Sequence, residues 1–161
     1  LVLVGTAFSM KVSASLLDLS RTEPEKAIAM VNQFSHSTLA PPPSALGPGT
    51  WPYGGSRALM RRVLASNSHV NVFHRGFKAC DDYVVGEQRM AGLNQPVLFV
   101  LGRQDQMTPP KSAQVLWHAA RQAEYVELDC GHAIMTERPD GLLHALIAFL
   151  HPPGASPKKA D

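Results

Sequence analysis

The chain has 161 residues, of which 45% are hydrophobic and 17% are charged, with a formal net charge of +2. These values predict one globular domain with a hydrophobic core and exclude general disorder. The small charge argues against nucleic-acid binding, and no stretch reaches the roughly 18 apolar residues that a membrane span requires. Cys80 and Cys130 are far apart, so we expect reduced thiols in a cytoplasmic protein and no structural metal site.

The chain begins with an apolar, partly β-branched run, Leu1–Val4, followed by Gly5 and Thr6. This pattern predicts a buried strand and the turn that leaves it. Because a natural domain seldom starts inside a buried strand, we expect the chain to be the C-terminal part of a longer protein. The first strand would then expose an unpaired edge, which predicts self-association when the chain is expressed alone.

Residues 8–90 show helical periodicity with proline-rich interruptions, which predicts a helical subdomain inserted between strands. Thr22 and Glu25 have the spacing of a capping box. A further helix is predicted from Ser56, as its N-cap, to about Ala65, with shorter helices at 70–73 and 77–84. The side chains predicted to face inward from the first two of these helices are Ala27, Ile28, Val31, Phe34, Leu59, Met60 and Val63.

From Pro96 onwards strands alternate with helices, which predicts an α/β fold of about three parallel strands joined by right-handed crossovers. The predicted strands are the apolar runs 97–101 and 125–128, together with the first run. We expect Thr108 to cap the intervening helix and Pro139 to open the last one. The predicted buried stripe of that last helix is Leu142, Leu143, Leu146, Ile147 and Leu150. Residues 152–161 are predicted to form a disordered tail.

An acid and a histidine follow the second and third predicted strands. The run 97–101 is followed by Gly102, and Asp105 lies three residues after that glycine. The run 125–128 is followed by Asp129-Cys130-Gly131 and then by His132. The carboxyl ends of parallel strands share one edge of the sheet, where open α/β folds carry their sites. Asp105 could accept the Nδ1 proton of His132, or it could merely cap a turn; Asp129 is a rival acid, but it lies on the same turn as His132.

These segments resemble those of a known family. Val97–Pro109 resembles the strand and acid of α/β-hydrolases, Cys130–Pro139 resembles their histidine loop and final helix, and Leu1–Thr6 resembles the strand that leads to their lid. The resemblance implies a core of residues 1–7 and 91–151 and a helical lid of residues 8–90. It also implies cofactor-free cleavage of a small ester or related acyl substrate, with Asp105 as the acid and His132 as the base of a Ser-Asp-His triad.

The serine of such a triad has no good candidate in this sequence. The family carries it on a G-x-S-x-G elbow that follows a strand and precedes the acid. The near match Gly54-Gly55-Ser56-Arg57-Ala58 does not follow an apolar strand, so Ser56 is better explained as a helix cap. We therefore expect the serine and the oxyanion-hole donors in an N-terminal half of the fold, upstream of Leu1.

Substrate contacts and two other functions remain open at this point. Trp51, Met60 and Phe73 could line an apolar substrate pocket or simply pack the lid onto the sheet. The missing serine would also suit a catalytically inactive, truncated interaction module. Dehalogenases, C–C hydrolases and cofactor-free peroxidases use the same acid and histidine positions, so these residues do not distinguish them from esterases.

Overall fold

The computed structural model describes residues 1–37 and 50–151; the predicted disordered tail at 152–161 lies outside the described residues. Within them, one sheet contains three parallel strands, β1 (Val2–Val4), β2 (Val97–Gly102) and β3 (Ala123–Leu128), in the order β1-β2-β3. Leu3 is paired with Phe99, and Phe99 with Tyr125 on the other side. The α/β class and the parallel three-stranded sheet predicted from the sequence are confirmed.

β2 is the central strand and is buried along its whole length, because helices cover both faces of the sheet. Successive side chains of a strand point to opposite faces, so Phe99 packs with Met90 and Leu116 on one face. On the other face, Leu98 packs with Ile134 and Leu142. β3 lies at the edge of the described sheet and is only partly buried, whereas the sequence predicted a buried strand.

In the described residues between β1 and β2 the chain forms helices α1 to α5: Ala14–Thr22, Pro24–Ser35, Pro52–Ala65, Val72–Asp82 and Gly86–Ala91. The first four surround an apolar cluster whose centre is Leu16, Ala27, Ile28, Val31 and Phe73. α5 instead packs against the sheet through Met90. The helical region expected between the strands is therefore present, and its division into lid and core remains a prediction.

Four local predictions in this region are wrong, and the first is the inward orientation of Phe34, Leu59 and Val63, which are exposed. Ser56 is not an N-cap, because α3 already begins at Pro52, where proline costs no hydrogen bond. Thr22 ends α1 instead of capping α2, and its hydroxyl donates to the Asp18 carbonyl at 2.9 Å. The two short helices predicted at 70–73 and 77–84 are one helix, α4, whose N-cap Asn71 accepts the His74 amide at 2.9 Å.

After β2, a 3₁₀ turn (Pro110–Ala113) leads into α6 (Gln114–Ala119), and β3 is followed by α7 (Ile134–Glu137) and α8 (Pro139–Leu150). α8 lies on one face of the sheet, and only one arc of it is covered: Leu142 and Ala145 are buried, and Leu146 and Phe149 pack beside them. The remainder of the predicted stripe, Leu143, Ile147 and Leu150, is exposed. Among the described residues, no helix has the length and apolarity needed to cross a bilayer.

Candidate active site

The loops that leave β2 and β3 are joined by backbone hydrogen bonds. The Arg103 amide donates to the Leu128 carbonyl at 2.8 Å, and the Gln104 amide donates to the Cys130 carbonyl at 2.9 Å. Gly102 allows this approach, since a Cβ there would lie 2.1 Å from the Gly131 carbonyl oxygen. These backbone contacts hold the two loops side by side without any contribution from their side chains.

Asp105 and His132 meet where these loops run together. His132 Nδ1 lies 2.9 Å from Asp105 Oδ2, and the side chain of Asp105 has no solvent exposure. The other carboxylate oxygen, Oδ1, accepts the backbone amides of Met107 and Thr108, each at 2.8 Å. Burial raises the pKa of Asp105, but the hydrogen bonds from His132 and Thr108 outweigh it, so the pKa lies below its ordinary value. Asp105 is therefore held as a carboxylate.

The contact with Asp105 determines which nitrogen of His132 carries the proton. An ionised carboxylate only accepts hydrogen bonds, so Nδ1 is the protonated nitrogen and Nε2 of the neutral ring has a free lone pair. Within residues 1–37 and 50–151 no side chain hydrogen-bonds Nε2. The side chain is 32% exposed and lines a cavity, so Nε2 can take a proton from a group that enters it.

Thr108, which was predicted to cap a helix, belongs to this site. Its hydroxyl lies 2.8 Å from Asp105 Oδ2, 3.0 Å from His132 Nδ1 and 2.9 Å from the Gly5 carbonyl. The 3₁₀ turn starts at Pro110, with Pro109 and not Thr108 at its N-cap position. Gly5 directly follows β1 and has a φ of +57°, and a Cβ there would approach His132 Nδ1 to 3.3 Å. The ends of all three described strands thus meet at His132.

A cavity of about 440 Å³ adjoins His132 and lies against the helices that follow β1. That volume is in the range of small-molecule sites. Its apolar lining consists mainly of Met10, Val12, Leu16, Met30, Phe34 and Phe77. Lys11, Ser13, Cys80 and Gln106 also line it. The arrangement can hold an apolar molecule with one polar group at the imidazole.

Solved structures share this arrangement of strands and helices, although no protein-family model and no curated protein matches the sequence. A thermophilic esterase superposes with a TM-score of 0.72 and 24% identity, over 97% of this chain and 57% of the esterase. An α/β-hydrolase from a deep-sea metagenome library matches with a TM-score of 0.63 and 18% identity, over 99% of this chain and 57% of that one. The chain has part of the α/β-hydrolase fold.

An enol-lactonase from Burkholderia xenovorans matches with a TM-score of 0.68 and 22% identity, over 92% of this chain and 55% of the lactonase. At such identities the likeness establishes the fold alone. By these coverages, the chain spans little more than half the length of the α/β-hydrolases it resembles.

The remaining candidates from the sequence lie away from the acid and the histidine of this α/β-hydrolase fold. Trp51 is 62% exposed and stacks on Tyr53. Met60 and Phe73 pack within the helix cluster, and none of the three lines the cavity. Asp129 accepts from Gln104 Nε2 at 2.8 Å and makes no described contact with His132.

No serine of the described ranges hydrogen-bonds His132. Ser56 lies inside α3. Ser13 lines the cavity, but its hydroxyl caps α1 by accepting the Leu16 amide at 3.2 Å. Ser20 Oγ lies 2.8 Å from His74 Nδ1, yet Ser20 is fully buried and donates to the Leu17 carbonyl. The described residues thus contain an acid–base pair without a paired nucleophile.

Proposed function

We propose that this chain supplies the acid, Asp105, and the base, His132, of a Ser-Asp-His triad that cleaves a small ester or related acyl substrate. The observation that supports it most directly is the 2.9 Å hydrogen bond from Nδ1 to a fully buried carboxylate, with Nε2 left unpaired beside an apolar cavity. We further propose that the serine and the oxyanion-hole donors precede Leu1 in a longer cytoplasmic protein.

In this mechanism Nε2 of His132 removes the proton of the serine hydroxyl as its oxygen attacks the acyl carbon. Asp105 keeps the imidazole in the required tautomer and stabilises the imidazolium that forms. Nε2 then donates that proton to the leaving alkoxide, and water releases the acyl group from the serine by the same steps. No metal or organic cofactor takes part in the proposed reaction.

The apolar cavity supports a substrate whose acyl or alkyl part is hydrophobic. Met10, Met30 and Phe34 lie on its wall, and methionine adapts to ligands of different shape. The esterases and the lactonase with this fold act on substrates of the class that their names state. We propose that this chain acts on substrates of the same class.

The test compares His132→Ala with His118→Ala in a protein that includes the sequence before Leu1. His118 lies on α6, exposed and outside the cavity lining, so its replacement controls for loss of a histidine as such. We expect hydrolysis of p-nitrophenyl butyrate to fall by at least about a thousandfold in His132→Ala only, in line with triad deletions. Retained activity in His132→Ala would remove that residue from the mechanism.

A fluorophosphonate probe tests the position of the nucleophile. We expect the longer protein to be labelled and the 161-residue chain to remain unlabelled. Labelling of the short chain would place the nucleophile within it. An aspartate at the elbow of the longer protein would instead favour a dehalogenase, and absence of any nucleophile there would favour an inactive interaction module.

A further inference from the structure

Glu137, the last residue of α7, is a buried carboxylate that the proposed triad does not use. It is 2% exposed and has no cationic partner among the described residues. Its Oε2 accepts the Gly131 amide at 2.6 Å and the Ser37 hydroxyl at 2.9 Å, and its Oε1 accepts the Ser37 amide at 2.7 Å. Burying a carboxylate is costly unless donors surround it. The three donors around Glu137 therefore offset the cost of its burial, and they tie it to Gly131 and Ser37.

The groups that Glu137 joins flank the catalytic candidate. Gly131 directly precedes His132, and Ser37 lies two residues beyond the end of α2. On the other side of His132, the Ala133 amide donates to the Ser35 carbonyl at 2.8 Å. The amides before and after His132 are therefore both tied to the segment that ends α2, one of them through Glu137.

The two segments are also in close contact. A Cβ on Gly131 would lie 2.7 Å from the Ser37 amide nitrogen and 2.9 Å from the Ser35 carbonyl oxygen. The backbone of the histidine loop therefore lies directly against residues 35–37 at Gly131. α2 in turn contributes Met30, Val31 and Phe34 to the wall of the cavity.

We propose that Glu137 is a positioning residue that couples the end of α2 to His132. By holding the Gly131 amide, it keeps the imidazole with Nδ1 on Asp105 and Nε2 toward the cavity. A ligand that contacts α2 thereby acts on the segment that orients the base. The kinetic consequence rests on the proposed function, whereas the anchoring of the loop does not.

Glu137→Gln tests this with little change in shape. The Gly131 amide donates to Oε2 and the Ser37 amide donates to Oε1. A glutamine offers one oxygen and one NH₂, so it cannot accept from both of these backbone amides. Glu124→Gln, at an exposed position of β3, is the matched control. Ser37→Ala is the milder variant, because it removes only the hydroxyl that donates to Oε2.

The first measurement is hydrogen exchange by mass spectrometry on the 161-residue chain. We expect peptides containing Gly131 and Ala133 to exchange at least about tenfold faster in Glu137→Gln, with the strand β2 unchanged, and unchanged exchange throughout Glu124→Gln. If Glu137→Gln does not fold, Ser37→Ala is expected to give the same local change at a smaller size. Wild-type exchange of the loop in Ser37→Ala and in a folded Glu137→Gln would overturn the proposal.

The second measurement is steady-state kinetics in the longer protein. A positioning role predicts that kcat falls at least tenfold in Glu137→Gln while KM stays within about twofold, because the cavity wall remains. A rise in KM with unchanged kcat would overturn the coupling to His132. If no variant or wild type hydrolyses esters, the proposed function fails, and the exchange result alone decides whether Glu137 anchors the loop.

Discussion

Asp105 gives one oxygen to the His132 ring and the other to two backbone amides, so the carboxylate that orients the histidine is itself fixed by the turn that carries it. The two backbone amides lie in the loop that follows β2, whereas His132 lies in the loop that follows β3. This arrangement makes the charge of Asp105 a determinant of stability as well as of the proposed chemistry.

Replacing Asp105 with asparagine should lower the free energy of unfolding at pH 7 by about 1–3 kcal/mol, since charged hydrogen bonds are lost in a buried site. The folded-state pKa of Asp105 lies below its ordinary value. The stabilisation is therefore present above the unfolded-state pKa, near 4, and is lost as pH falls through the folded-state pKa. Urea unfolding of both proteins at pH 7, 5 and 3.5 measures the difference, which should shrink at the lowest pH.

Asp129→Asn is the control for this titration, because Asp129 is exposed and bonds only Gln104 among its described partners. Its unfolding free energy should differ little from that of the wild type at every pH. An equal loss in both variants would show that the effect is not specific to Asp105.

Thr108→Val should destabilise the fold by about 1 kcal/mol, because its hydroxyl lies within hydrogen-bond distance of the Asp105 carboxylate and the Gly5 carbonyl and can donate to either of them in a half-buried site. Thr108→Ser keeps the hydroxyl and should stay close to wild type. Thermal unfolding of the two variants provides the comparison. Equal melting temperatures for Thr108→Val and Thr108→Ser would mean that the hydroxyl does not contribute to the stability of the fold.

Gly131→Ala should destabilise the chain by about 1–3 kcal/mol, because its Cβ would meet backbone atoms that cannot move aside. Gly76→Ala, in the middle of α4, meets nothing within 4 Å and should stabilise by about 0.5–1 kcal/mol through helix propensity. The free energy of unfolding, measured by chemical denaturation, should therefore fall for Gly131→Ala and rise for Gly76→Ala. A neutral Gly131→Ala would contradict the close packing of the histidine loop.

The two thiols should differ sharply in reactivity at pH 8. Burial and the nearby charge of Glu137 raise the pKa of Cys130 to about 11, and the residue is fully buried. Cys80 is half-buried and lines the cavity. Peptide mapping after iodoacetamide treatment should find Cys80 modified and Cys130 intact, whereas both should react in urea. Modification of native Cys130 would show that the loop opens.

The 161-residue chain should self-associate, because β1 pairs only with β2 in the described sheet and its outer edge offers unpaired backbone groups. Gel filtration with light scattering over a hundredfold range of concentration measures this. The longer protein, in which we propose that a further strand covers β1, is the control and should remain monomeric. Monomeric behaviour of the short chain at its highest concentration would refute the prediction.

The sequence predicted the strands and the meeting of Asp105 with His132, because each of these depends on a short apolar run and the turn after it. Thr108 was misassigned, since a threonine before two prolines also fits a helix start, and only tertiary structure brings Gly5 to it. The contact of Ser37 with Glu137 spans 100 residues and leaves no local pattern. The periodicity of α8 identified an apolar helix, but not which arc of it faces the sheet, so Leu143 was expected to be buried and is exposed.

The contacts of Thr108 with Gly5 and His132 mean that the acid–base pair is assembled within a single piece of polypeptide. A break in the backbone ahead of β1 would leave every one of these bonds in place. If the serine lies upstream as we propose, a separately expressed segment that carries it should restore turnover when it is mixed with this chain. Recovered turnover on mixing would then report the docking itself, since neither piece holds all three groups of the proposed triad.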